Sequence, residues 1–153
     1  MAFDAFLKIE GIDGDSTDKD HKGEIEILSF SWGETNTSPS NKGGGGGAGK
    51  VSMQDFHFTM QVSSASPKLM VACASGKHFT QATLTCRKAG GEQRAEFMKI
   101  KLTDILVSSY LTEGNTNSEE APLPTDQISL NFSKIEFLFS TGRGETTADA
   151  TRG

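Results

Sequence analysis

Two cysteines, Cys73 and Cys86, are too few for a disulfide framework. In a reducing cytosol both serve as small apolar groups. No apolar run approaches the roughly 20 residues that a membrane-spanning helix needs. Residues 1–8 show no basic stretch followed by an apolar core, so no secretory signal is expected and folding is expected in the cytosol. An excess of positive charge is also missing. Fifteen Lys and Arg stand against 20 Asp and Glu, a net charge of −5, which disfavours nucleic acid as the main partner.

Assembled chemistry is absent from the pattern as well. The three histidines, His21, His57 and His78, show no zinc spacing and have no close cysteine pair. No Gly-x-Ser-x-Gly elbow occurs, and neither Asp104 nor Glu96 has an obvious carboxylate partner. Two motifs come near and fail. Asp13, Asp15 and Glu24 fall at positions 1, 3 and 12 of a calcium loop, but Asp18 stands where its glycine belongs and no helices flank it. Gly44 to Lys50 has the spacing of a phosphate loop, but Val51 replaces the magnesium-binding hydroxyl and a strand follows. A solvated acidic turn and a flexible loop are the expected readings. No catalytic residue, metal or cofactor is expected, and no enzyme.

What is present is strand pattern. With 153 residues and 35% hydrophobic content the chain suits one domain with a real core. Residues 1–9 and 23–33 read as strands around an acidic turn. Phe6 interrupts the polar side of the first. In the second, Ile25 and Ile27 point one way while Leu28, Phe30 and Trp32 point the other. A strand apolar on both faces needs cover on both faces, which favours homo-oligomerisation. Further strands are expected over 51–63, 79–89, 94–111 with a bend near Asp104, and 126–141 with a phase shift near Ser133 and Lys134. One helix is expected over about 66–76, with Ser66 as N-cap, Pro67 at its first helical position and Gly76 as its stop. Residues 34–50 read as a long glycine-rich loop within a single domain spanning 1–141, and 142–153 as a mobile tail without an apolar anchor. The fold class expected is mostly β (α+β): a two-sheet β-barrel with one short flanking α-helix.

The ordered set of short motifs adds a resemblance. It runs Phe6-Leu7-Lys8-Ile9; Gly14-Asp15-Ser16 with Asp18-Lys19 and His21; Glu24-Ile25; Ser31-Trp32-Gly33; Gly43 to Lys50; Gln54-Asp55; Phe58-Thr59. It continues through Ser66-Pro67-Lys68-Leu69-Met70, Ala72-Cys73, Ser75-Gly76-Lys77-His78, Arg87 to Gly91, Leu106 to Ser109 and Leu130-Asn131-Phe132. In this order and spacing the chain resembles the hemolysin-coregulated protein (Hcp) family, the inner-tube component of bacterial type VI secretion, over residues 1 to about 140.

The resemblance implies a ring of six copies, stacked into a hollow tube that a contracting sheath fires from the bacterial cytoplasm without a signal peptide. It implies partners in further copies of the chain, in sheath, spike and baseplate proteins, and in small effectors carried and stabilised in the lumen. By motif match Ser31 is the expected lumen contact. Gly43, Gly44, Gly45, Gly46 and Gly47 are expected to lie on a neighbouring subunit. The competing expectation is a stand-alone β-barrel module that binds a small ligand or glycan, for which one Trp and one Tyr supply little aromatic surface.

Overall fold

The computed structural model describes residues 3–37, 50–90, 95–117, 119 and 123–152. In chain order these form β1 (Phe3–Ile9), β2 (Ile25–Glu26), β3 (Ser29–Ser31), β4 (Glu34–Thr37), β5 (Lys50–Met53), β6 (Phe56–Gln61), α1 (Ala65–Ser75), β7 (His78–Lys88), β8 (Glu96–Glu113), β9 (Thr125–Asn131), β10 (Lys134–Ser140) and β11 (Glu145–Thr151). The protein is mostly β with one short helix, in two sheets. The larger sheet runs β2-β1-β7-β8-β9-β6-β3, with β10 paired to β8 and β11 to β10; β4 and β5 form a separate two-stranded ribbon.

Alternation explains the buried set. Ala5, Leu7 and Ile9 of β1, Ala82, Leu84 and Cys86 of β7, and Ile128 and Leu130 of β9 enter one core with Phe56, Phe58 and Met60 of β6. The long strand β8 switches phase: Ile100 and Leu102 are buried, then Ile105 and Val107. The switch falls at Asp104, whose φ is 55°. Neither Asp104 nor Thr80 of β7 has a ladder partner, and the pairs on either side, Gln81 with Thr103 and Phe79 with Ile105, keep one register. At that point β8 also changes its other neighbour, from β10 (Met98–Thr103) to β9 (Leu106 onward). The bend expected near Asp104 is this switch of face and neighbour; the bulge of β8 lies further on, between Val107 and Ser109 against β9. The shift expected near Ser133 is the break between β9 and β10.

Helix α1 begins at Ala65, two residues before the start that a Ser66 cap sets, so Pro67 is its third residue rather than its first. Ser64 takes the N-cap position without a side-chain cap bond, and Gly76 closes the helix at φ 65°. Ser66 is therefore inside the first turn and 3% exposed, its hydroxyl donating to the Asp126 carboxylate at 2.5 Å.

Four expectations are corrected. The strand over 23–33 is broken at Ile27 and Leu28, because this stretch serves two sheet edges: the Ile27 N–H bonds the Ala5 carbonyl and the Leu28 N–H bonds the Thr59 carbonyl. The strand over 51–63 is split at Gln54 and Asp55, its first part belonging to the ribbon with β4. The loop over 34–50 is strand at both ends, Glu34–Thr37 and Lys50, while Gly43 to Gly47 lie outside the described residues. The expected mobile tail forms β11, paired with β10 from Lys134 opposite Thr151 to Ser140 opposite Glu145. Its anchor is polar. The Arg152 N–H donates to the Ser133 carbonyl, and its guanidinium reaches the Gln54 carbonyl and Asp55 while lying 4.8 Å over the Phe132 ring.

Phe58→Ala is expected to lower the unfolding free energy by about 3–5 kcal/mol, since Phe58 is 2% exposed. Phe137→Ala, at a side chain 40% exposed, should cost well under that in the isolated protomer. Urea titration of both variants checks the contrast.

Candidate functional site

Two regions combine the residues singled out in the sequence. The first fastens the acidic turn, residues 10–24, to the sheet. Gly14 permits the closest approach: its N–H donates to the Gly23 carbonyl at 2.8 Å, and a Cβ there would lie 2.5 Å from the Glu24 carbonyl oxygen. Asp18 then reaches Arg87 of β7 with two hydrogen bonds of 2.6 and 2.8 Å, and Asp4 of β1 stands 3.5 Å from the same guanidinium. Arg87 is only 3% exposed. Its guanidinium lies 4.8 Å over the Phe6 ring, against which His21 stacks at 4.5 Å. His21 Nδ1 is 3.0 Å from the Glu24 carboxylate. The aromatic that interrupts the polar side of β1 is thus the platform for the turn.

The charges respond to this geometry. The Arg87 hydrogen bonds hold the Asp18 carboxyl well below the usual carboxylate range. Asp18 in turn raises the Arg87 pKa. Hydrogen bonds from the Ser64 hydroxyl and N–H lower the Asp15 carboxyl and tie the turn to α1. Burial pushes the Cys86 thiol up to about 11, so it stays a protonated packing group. The acidic turn is a fastening for Arg87 and α1. Among the described residues no group of three His, Cys, Asp or Glu side chains is placed to hold a metal.

The second region is a groove of about 500 Å³ on the outer face of β3, β6, β9 and β8. Two rows of directly opposed residues cross these strands. One is Ser31, His57, Ser129 and Ser109; the other is Ser29, Thr59, Gln127 and Leu111. Their backbone neighbours Phe58 and Ile128 point into the core. Each row holds one short hydrogen bond between neighbours: Ser29 Oγ with Thr59 Oγ1 at 2.6 Å in one, and His57 Nδ1 with Ser129 Oγ at 2.6 Å in the other. Ser31 is exposed at one end of its row. Ser31 was expected here from the motif match alone; the structure places it beside His57 on the outward face. The Ser129 partner, 72 residues from His57, was beyond any local signal.

Comparison with known proteins settles the lineage. Residues 6–139 match the family model described as "Type VI secretion system effector, Hcp". The chain is 42% identical over 149 residues to "Protein hcp1" of Pseudomonas aeruginosa, covering 97% of this chain and 90% of that protein. The chain belongs to the Hcp family. Its fold is similar to the crystal structure of Hcp1 from Salmonella typhimurium, with a TM-score of 0.82, 36% identity and coverage of 99% of this chain and 96% of that one. It is likewise similar to a type VI secretion system effector from Yersinia pestis, with a TM-score of 0.81, 29% identity and coverage of 97% and 99%. Membership places the chain among type VI secretion tube proteins, a structural and secreted family. No helix among the described residues is long and apolar enough to cross a membrane.

Within an Hcp chain the motif residues now acquire reasons: Gly14, Asp18, His21 and Arg87 form the fastening, Ser66 meets Asp126, and Asp55 receives Ser108, Asn131 and Arg152. Because the folded Asp18 carboxyl sits below its unfolded value of about 4, its stabilising contribution is complete above that pH. It is lost as pH falls from about 4 toward the folded value. Asp18→Asn should therefore lower the urea midpoint at neutral pH, and its deficit against wild type should shrink steadily below about pH 4.

Proposed function

We propose that copies of this chain join head to tail into a closed six-membered ring, that rings stack into the type VI inner tube, and that sheath contraction expels the tube with small effectors held in its bore. The observation that carries the reading is the apolar surface a single copy leaves open. Phe3 is 43% exposed and Leu28 60%. Together with Phe30 they border a cleft of about 680 Å³ where β1 meets the β2–β3 link. Phe137 and Phe139 add 40% and 44% exposed rings on β10. Buried against a neighbour, such groups contribute about 25 cal/mol per Å², and a head-to-tail contact that closes makes a ring.

The link itself supports a barrel. The two ends of the main sheet, β2 and β3, are consecutive in the chain, and residues 27 and 28 hydrogen-bond to β1 on one side and β6 on the other. We read this as barrel closure, which removes exposed edges. The polar groove is the face assigned to the lumen. Its hydroxyl-rich rows suit modest contacts with varied cargo, with Ser31 as the contact residue. Gly43 to Gly47 are assigned to the neighbour's surface, and sheath, spike and baseplate proteins to the tube's other contacts.

Leu28→Asp should shift the sedimentation distribution from rings toward single protomers at micromolar concentration while leaving the circular dichroism spectrum unchanged. Removing Gly43 to Gly47 should weaken assembly more than protomer stability. An unaltered distribution for both variants at every dilution would contradict the interface assignment. Ser31→Trp should leave ring size unchanged and reduce effector retention.

A further inference from the structure

The groove has one ionisable side chain among the described residues that line it, His57; the remaining polar members are hydroxyls and the Gln127 amide. The nearest charges are already engaged. Asp55, two residues before His57 on the same face, accepts from Ser108, Asn131 and Arg152. Glu113 of β8 accepts from Gln127 of β9 at 3.0 Å. Facing His57 from β3 and β9 are only the serines Ser31 and Ser129, with Ser109 beyond on β8. At neutral charge the imidazole and the Ser129 hydroxyl share one hydrogen across 2.6 Å, and either can donate.

Protonation changes this in a defined way. An imidazolium donates from both ring nitrogens. A proton taken from solvent onto the ring leaves Nδ1 as a donor, so Ser129 Oγ must accept. The Ser129 hydroxyl hydrogen then points away from the ring, whichever partner donated before. The face gains one positive charge and one outward donor per protomer, in a groove whose other described lining residues carry no charge, on a chain whose overall balance is −5.

We propose that His57 makes this face a pH-dependent receptor for acidic polypeptide surface, tightening as pH falls. The inference rests on the groove being the cargo-facing surface. Carboxylates of the bound polypeptide take the new cation and the freed Ser129 hydroxyl together, while basic surface is disfavoured by the same charge.

The test uses full-length protein and a fluorescent oligo-aspartate peptide, with oligo-lysine as the reverse control, by polarisation at about pH 7.5 and about pH 5.5. Wild type should bind oligo-aspartate about two- to five-fold more tightly at the lower pH for each His57 contacted. His57→Gln, which keeps size and hydrogen bonding without the charge, should lose that gain. His57→Lys should bind tightly at both pH values. A wild-type gain that persists in His57→Gln, or no gain in wild type, overturns the role of His57. The groove assignment fails separately if Ser31→Trp leaves oligo-aspartate affinity unchanged at both pH values.

Discussion

The fastening of Arg87 by Asp18 is the constraint on which the arrangement of the first third of the chain depends. Arg87 is a charged side chain embedded in a central strand, 3% exposed. Without a carboxylate it would be an unpaired buried charge, which folded proteins do not tolerate cheaply. Supplying that carboxylate draws the acidic turn across the sheet. Gly14 lets the turn close on itself, Phe6 gives it a ring to rest on, and Asp15 carries it to the start of α1. Once the turn is placed, residues 25–31 emerge between the two ends of the main sheet, where Ile27 and Leu28 bond to both. The edge geometry, and with it the exposure of Leu28, follows from a salt bridge distant in sequence.

The local pattern carried much of the fold. Period-two alternation located the strands, and breaks in that alternation located Asp104 and the β9–β10 corner, because a phase slip must appear wherever a strand keeps one face buried. Gly76 marked the helix end because a left-handed residue is needed there. What the pattern missed was decided by distant partners. The strand over 23–33 is broken because it leaves one neighbour for another, and no residue type signals that. The final strand was overlooked because apolar anchors were the signal sought, whereas β11 is held by its ladder and by Arg152 on Asp55 and Phe132.

The site was legible in a different sense. Ser31 came from the motif alone; the structure adds its outward direction and the row in which it stands with His57, Ser129 and Ser109. The acidic residues looked like a solvated turn because their partners, Arg87 and Ser64, lie far along the chain. Family motifs that are weak one by one thus converge on a few long-range contacts: Asp18 with Arg87, Asp15 with Ser64, Ser66 with Asp126, Asp55 with Arg152.

Membership of the Hcp family and the exposed Phe3 and Leu28 beside β1 support the proposed assembly, in which the protomer completes its burial against copies of itself and turns a hydroxyl-lined face toward a central bore. Negative-stain microscopy of the purified chain addresses this most directly. Rings with an open centre and sixfold end views are the expected image. A field of solitary particles of protomer size at micromolar concentration would contradict it.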